Sequence, residues 1–114
     1  MAYQAKQGDI IWITQVGHEQ MGRRPAIVVS NDSFNRFSAR AAMVCPITNT
    51  NKGIPVQLAL DSRTKTTGVI MCDQAKILDL QSRNPKFIER APSDILYEVV
   101  DIIRALTEIE QIEN

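Results

Sequence analysis

A chain of 114 residues with 44% hydrophobic content has the size and apolar fraction of one compact domain spanning residues 1–114, which excludes a disordered polymer. No apolar run approaches the roughly 18 residues that cross a bilayer, and residues 1–7 lack an apolar signal segment, so a cytoplasmic protein with no membrane partner is expected. Thirteen basic and thirteen acidic side chains cancel, which excludes a uniformly basic chain, yet residues 1–88 carry eleven basic and six acidic groups (+5) and residues 89–114 carry two and seven (−5). The basic portion suits a phosphate partner while the acidic end faces elsewhere, unless that end is simply a solvated acidic helix.

The elements follow in chain order. Residues 9–14 are short and β-branched and predict a strand. Residues 15–24 are polar with two glycines and predict a loop longer than a hairpin needs. Residues 25–30 predict a second strand with Pro25 at its first position, where proline is tolerated. Residues 31–40 read as a polar connection containing Phe34 and Phe37. Residues 41–47 predict a buried strand in which Pro46 implies an edge or a bulge. A turn at 49–53 precedes 54–60, where Ile54, Val56, Leu58 and Leu60 alternate on one face.

Residues 68–72 are apolar again, 74–80 suggest a strand and then a short turn, and 87–90 a last short strand. Ser93 is a candidate N-cap, and Ile95, Val99, Ile102, Ile103 and Leu106 recur at helical spacing, predicting an amphipathic helix over 94–110. The whole predicts a mainly β fold, a small curled sheet or partial barrel closed by a C-terminal helix. Cys45 and Cys72 sit in apolar runs and read as buried, reduced thiols rather than a disulfide or metal ligands.

Most standard catalytic sets are missing. There is no Walker loop, GxSxG, HExxH or zinc spacing, and a lone His18 rules out a two-histidine ribonuclease mechanism. The dense spot is Glu19, Gln20, Arg23 and Arg24 within six positions. A guanidinium presents a planar fork to phosphate oxygens. Read by themselves, a glutamate and two arginines in a loop more readily form a surface ion-pair cluster.

A wider pattern surrounds them. Gly8-Asp9-Ile10 opens a strand, Gly17-His18-Glu19-Gln20 and Gly22-Arg23-Arg24-Pro25 follow, and then come Asn31-Asp32 with Asn35-Arg36-Phe37, Pro46-Ile47-Thr48, Gly68-Val69-Ile70 and Asp73-Gln74 with Lys76. In this order and spacing the chain resembles the MazF/PemK-type toxins along nearly its whole length. The resemblance implies an SH3-like partial barrel of the CcdB/PemK type, a homodimer, a cognate antitoxin, and metal-independent, cofactor-free cleavage of single-stranded RNA that leaves a 2′,3′-cyclic phosphate and a 5′-hydroxyl.

It also implies roles. Arg24 matches the catalytic arginine and would stabilise charge on the phosphoryl oxygens; its high pKa makes it a poor base. Thr48 matches a catalytic threonine, although by itself it reads as a strand-end hydroxyl bonded to its own backbone. Glu19 is the candidate acceptor of the 2′-hydroxyl proton, or the group that orients Arg24. Gln20, Arg23, Asn31, Asn35, Asp73 and Gln74 are the expected RNA-binding residues; Asp73 and Gln74 serve equally well to satisfy a turn. Some relatives carry histidine where Arg23 stands, which leaves the leaving-group acid undecided. His18 reads as a surface residue. Phe34 and Phe37 offer bases a stacking surface, with burial beneath the loop the stronger reading. Two alternatives are a CcdB-like toxin that inhibits a protein target such as gyrase, and an inert antitoxin-binding module.

Overall fold

The structure, a computed structural model, describes residues 2–14 and 22–111. Seven antiparallel strands, β1 (Asp9–Thr14), β2 (Arg23–Val28), β3 (Ala41–Thr48), β4 (Gln57–Ala59), β5 (Val69–Met71), β6 (Lys76–Asp79) and β7 (Lys86–Arg90), accompany two helices, α1 (Asp32–Ser38) and α2 (Ser93–Thr107). The sheet runs β4-β5-β3-β2-β1-β7, and β6 pairs with β3 beside β5. This is the mainly β fold with a C-terminal helix that the sequence predicts.

Strand alternation sends side chains to two faces, and each face has its own core. Ile10, Ile27, Cys45, Ile47 and Ile70 form one core with Ile95 and Val99 of α2. Ile11, Ile13, Ala26, Val28, Ala42 and Val44 form the other, closed by Ala5 and Leu80. Both cores are aliphatic, as the low aromatic content requires. Both cysteines are free and buried. Helix α2, with acidic Asp94, Glu98 and Asp101 exposed, therefore covers only the first face.

Several boundaries depart from the sequence reading, each for a local reason. β2 begins at Arg23, so Pro25 lies inside it; it pairs with Trp12, and the ladder to β3 starts only at Ala26. Pro46 marks neither an edge nor a bulge. It occupies the gap in β3 between the last β6 partner at Val44 and the first β5 partner at Ile47, where no N–H is needed. The stretch 54–60 narrows to the three residues of β4, with Ile54 exposed.

The connection at 31–40 is in fact α1. Asn31 caps it by accepting the Phe34 N–H (2.9 Å), and Ala39 ends it at φ 61°. Its one buried residue is Asn35, a polar side chain, so no apolar period announced it. Phe34 is half-buried, but Phe37 is 86% exposed rather than buried. Pro92, not Ser93, is the N-cap of α2, without a side-chain cap. The helix ends at Thr107 because the next turn would add Ile109, which is 86% exposed and has no core to meet.

Candidate active site

Arg23 and Arg24 are neighbours in sequence, and the strand they start separates them. Arg24 pairs with Ile13 and shares the face of Ala26 and Val28; Arg23 pairs with Thr14 and shares the face of Pro25 and Ile27. The first is half-buried and the second exposed. The β2–β3 register sets Ala26 opposite Pro46, Ile27 opposite Cys45 and Val28 opposite Val44. Beyond Ala26 the ladder stops, but alternation keeps Arg24 on the face of Ala26 and Thr48 on the face of Pro46, the partner of Ala26. Arg24 and Thr48, 24 positions apart in the chain, thus stand at adjacent strand ends.

Thr48 is half-buried, and its Oγ1 accepts the Thr50 N–H at 3.2 Å. That is the backbone bond expected of a strand-end threonine. It uses an acceptor site only, so the hydroxyl proton remains available to donate to a phosphoryl oxygen. Behind Thr48 stands Gly68 at φ +117°. A Cβ there would lie 2.4 Å from the Thr48 carbonyl oxygen, so the close approach of β5 to the end of β3 requires glycine.

Arg24 lines a small pocket of about 50 Å³ with Lys76 and Arg83. Lys76 enters from β6, where it pairs with Val44, and Arg83 from the 3-10 turn Leu80–Arg83. That turn is fixed at its start by Asp79, which accepts the Gln81 N–H at 3.1 Å. Proline and aliphatic side chains make up the other walls among the described residues. Three cations gathered over an apolar floor make a local positive field that suits an anion such as phosphate. The acidic helix α2 lies across the sheet from them.

The remaining expected residues divide. Asp73 and Gln74 are exposed on the 3-10 turn Cys72–Gln74, directly ahead of Lys76. Asn31 is exposed, with its side-chain oxygen engaged as the α1 cap. Asn35 is not a surface residue. It is fully buried, its Oδ1 accepts from the Ser30 hydroxyl (2.5 Å), and its Nδ2 donates to the Ser30 carbonyl (3.1 Å), so RNA cannot reach it. Arg23 lies over the Trp12 ring, with the guanidinium carbon 4.5 Å from the ring centre. Glu19, Gln20 and His18 lie outside the described residues. Among the described residues, no group of three or more His, Cys, Asp or Glu side chains is placed to hold a metal ion. None of the described helices is long and apolar enough to cross a membrane.

Sequence reasoning did not assign roles to Lys76 and Arg83. Lys76 could have been found from the alternation of β6. No local signal marks Arg83.

Residues 6–107 match the family described as PemK-like, MazF-like toxin of type II toxin–antitoxin system. The chain belongs to this family. It is 37% identical to endoribonuclease PemK of Escherichia coli over an alignment of 98 residues, with 79% of this chain and 73% of PemK covered. It is 33% identical to endoribonuclease toxin MazF of Escherichia coli strain K12 over 84 residues, covering 71% of this chain and 74% of that protein. Among solved structures, a MazE–MazF crystal structure from Deinococcus radiodurans superposes with a TM-score of 0.86 at 32% identity, covering 93% of this chain and 97% of that one. The family's match includes β2, β3 and β6, the elements that carry Arg24, Thr48 and Lys76.

Proposed function

We propose that this toxin-family chain is a metal-independent endoribonuclease that cleaves single-stranded RNA at short sequences. The observation that carries the reading is the pocket lined by Arg24, Lys76 and Arg83, with Thr48 at the end of the neighbouring strand β3. The naming of PemK and MazF as endoribonucleases supports it.

The 2′-oxygen of the substrate attacks the adjacent phosphorus as the bond to the 5′-oxygen breaks. A 2′,3′-cyclic phosphate remains, and the departing 5′-oxygen takes up a proton from solvent to become the 5′-hydroxyl. Charge grows on the non-bridging oxygens in the transition state, and Arg24 stabilises it there, where a fixed cation is worth most. The Thr48 hydroxyl donates to the same oxygens. Lys76 and Arg83 hold the entering phosphodiester, and Asp73 and Gln74 present a carboxylate and an amide to exposed base edges. Glu19, in the segment of sequence between β1 and β2, takes the 2′-hydroxyl proton.

The reading extends to partners. The chain acts in the cytoplasm as a homodimer, held inactive by a cognate antitoxin whose acidic tail covers the cationic pocket. The presence of MazE with MazF in the Deinococcus structure supports an antitoxin of this kind.

The test is incubation of purified protein with an RNA of several hundred nucleotides in EDTA, followed by mapping of 5′-hydroxyl ends. The parent chain should cleave at discrete sites. Arg24→Ala should lose about 10²- to 10³-fold, the value of one donor to a developing oxyanion. Arg40→Ala, which removes an exposed arginine bridged to Asp79, should cleave like the parent. No cleavage, or undiminished cleavage by Arg24→Ala, overturns the mechanism.

A further inference from the structure

The opposite face of the same strand ends carries a second hollow of about 380 Å³. Its floor is the half-buried Trp12 with Pro25 and Ile88, and its wall is Asn49 with Lys65, Thr66 and Thr67. Pro25 follows Arg24 and Asn49 follows Thr48. One residue along each strand therefore carries the chain from the catalytic face to this hollow.

The wall is rigidly placed. Glu89 of β7 accepts the N–H of Lys65 (3.0 Å), the N–H of Thr66 (2.8 Å) and the Thr66 hydroxyl (2.8 Å). Arg63 ties the start of the segment to α2 through two bonds to Asp94, at 2.9 and 3.0 Å. The Asn49 Oδ1 accepts the Thr67 hydroxyl at 3.0 Å, which fixes the amide plane and orients its NH₂ as the remaining donor. The Trp12 indole is capped by the Arg23 guanidinium, an exposed side chain that can swing aside without breaking a core contact.

An aromatic floor, a stacking cation and a fixed amide donor are the groups that hold a flat heterocycle by its face and read one acceptor on its edge. The volume lies within the roughly 300–1,000 Å³ of small-ligand sites. We propose that this hollow is a nucleobase subsite. It receives an unpaired base flanking the scissile phosphate, stacks it on Trp12 in place of Arg23, and selects by the Asn49 amide a base that presents an acceptor. Displaced from the indole, Arg23 moves to the adjoining phosphate. The inference rests on the endoribonuclease reading and adds to it where part of the sequence preference resides.

Trp12 is the only tryptophan in the chain, so its emission reports directly on the subsite. The experiment uses a cleavage-site oligonucleotide with 2′-O-methyl sugars, which lacks the attacking hydroxyl, and a series in which each base near the scissile bond is replaced by an abasic unit. Saturating oligonucleotide should quench Trp12 emission, and one abasic position should abolish the quenching. In cleavage of natural RNA, Asn49→Ala should relax preference at that same position by about 3- to 10-fold, the worth of one hydrogen bond, and leave other positions unchanged. Unchanged emission at saturation, or cleavage by Asn49→Ala with the parent's preference at every position, overturns the subsite alone. Failure of the parent chain to cleave RNA overturns the endoribonuclease reading beneath it.

Discussion

Replacing Gly68 by alanine should damage the fold and the site together, because this glycine is where β5 approaches the backbone of Thr48. Its φ of +117° is outside the range that L side chains adopt readily, a strain of about 1–3 kcal/mol. The added Cβ would also lie 2.4 Å from the Thr48 carbonyl oxygen and 2.9 Å from its carbonyl carbon. Those are backbone atoms of a strand paired to β5 at Thr48↔Val69, so no side-chain rotation relieves the clash. Overpacking of this kind costs about 1–3 kcal/mol more. Alanine recovers roughly 0.4–1 kcal/mol by stiffening the unfolded chain. The net loss should be roughly 2–5 kcal/mol, a large part of the roughly 5–15 kcal/mol that holds a typical domain together. Gly53→Ala is the matched control. Its φ is +65° and nothing lies within 4 Å of the added carbon, so only backbone strain of about 1 kcal/mol is at stake. Urea denaturation of the three proteins, with the slope of the transition checked for constancy, measures the difference. RNA cleavage by Gly68→Ala should also fall under conditions where it remains folded, because Thr48 must shift. Equal losses for the two variants would refute the close-approach argument.

Other outcomes follow from the same geometry. Asn35→Ala should cost about 1–3 kcal/mol by removing both bonds of this buried amide to the half-buried Ser30, yet the folded variant should bind a non-cleavable RNA with parental affinity; weakened binding would restore Asn35 to the interface. Burial, reinforced by the hydrogen bond and charge of Asp9, pushes the Tyr3 phenol above its usual range. A group whose pKa is raised on folding stabilises the native state below the unfolded value and loses that contribution as pH rises beyond it. Stability should therefore begin to fall above about pH 10, the value for an unfolded tyrosine, and Tyr3→Phe should flatten this limb in alkaline denaturation curves. Burial, with lesser contributions from Cys72 and Asp73, pushes the Cys45 thiol up to about 12, and burial with Asp73 pushes Cys72 up to about 11. Neither should react with a thiol reagent at pH 8.5 in the native protein, and both should react on unfolding; rapid native labelling would contradict their placement in the core.

Much of the fold is written locally in the chain. β1 stands where the β-branched run 9–14 lies, and α2 follows from five aliphatic residues at helical spacing, because the pleat and the helical turn impose those periods on any segment with one buried face. Helix α1 escaped notice for the same reason: its only buried side chain is Asn35, so burial left no apolar trace. Arg24 and Thr48 could be named from the order of motifs, and strand alternation alone sends Arg23 and Arg24 to opposite faces.

What alternation could not say is which face each takes or what waits there. That was decided by strand register between distant segments. The pairing of β3 with β6 sets Lys76 beside Val44, and a turn 59 positions beyond Arg24 brings Arg83 into the same pocket. The Trp12 hollow needs a wall from residues 65–67, held there by Glu89 of β7. Local sequence fixes the conformation of each element because its causes lie within a few residues. The convergence of cations in one pocket and of aromatic and amide in another depends on which hydrophobic faces bury against each other, a property of the whole packed chain.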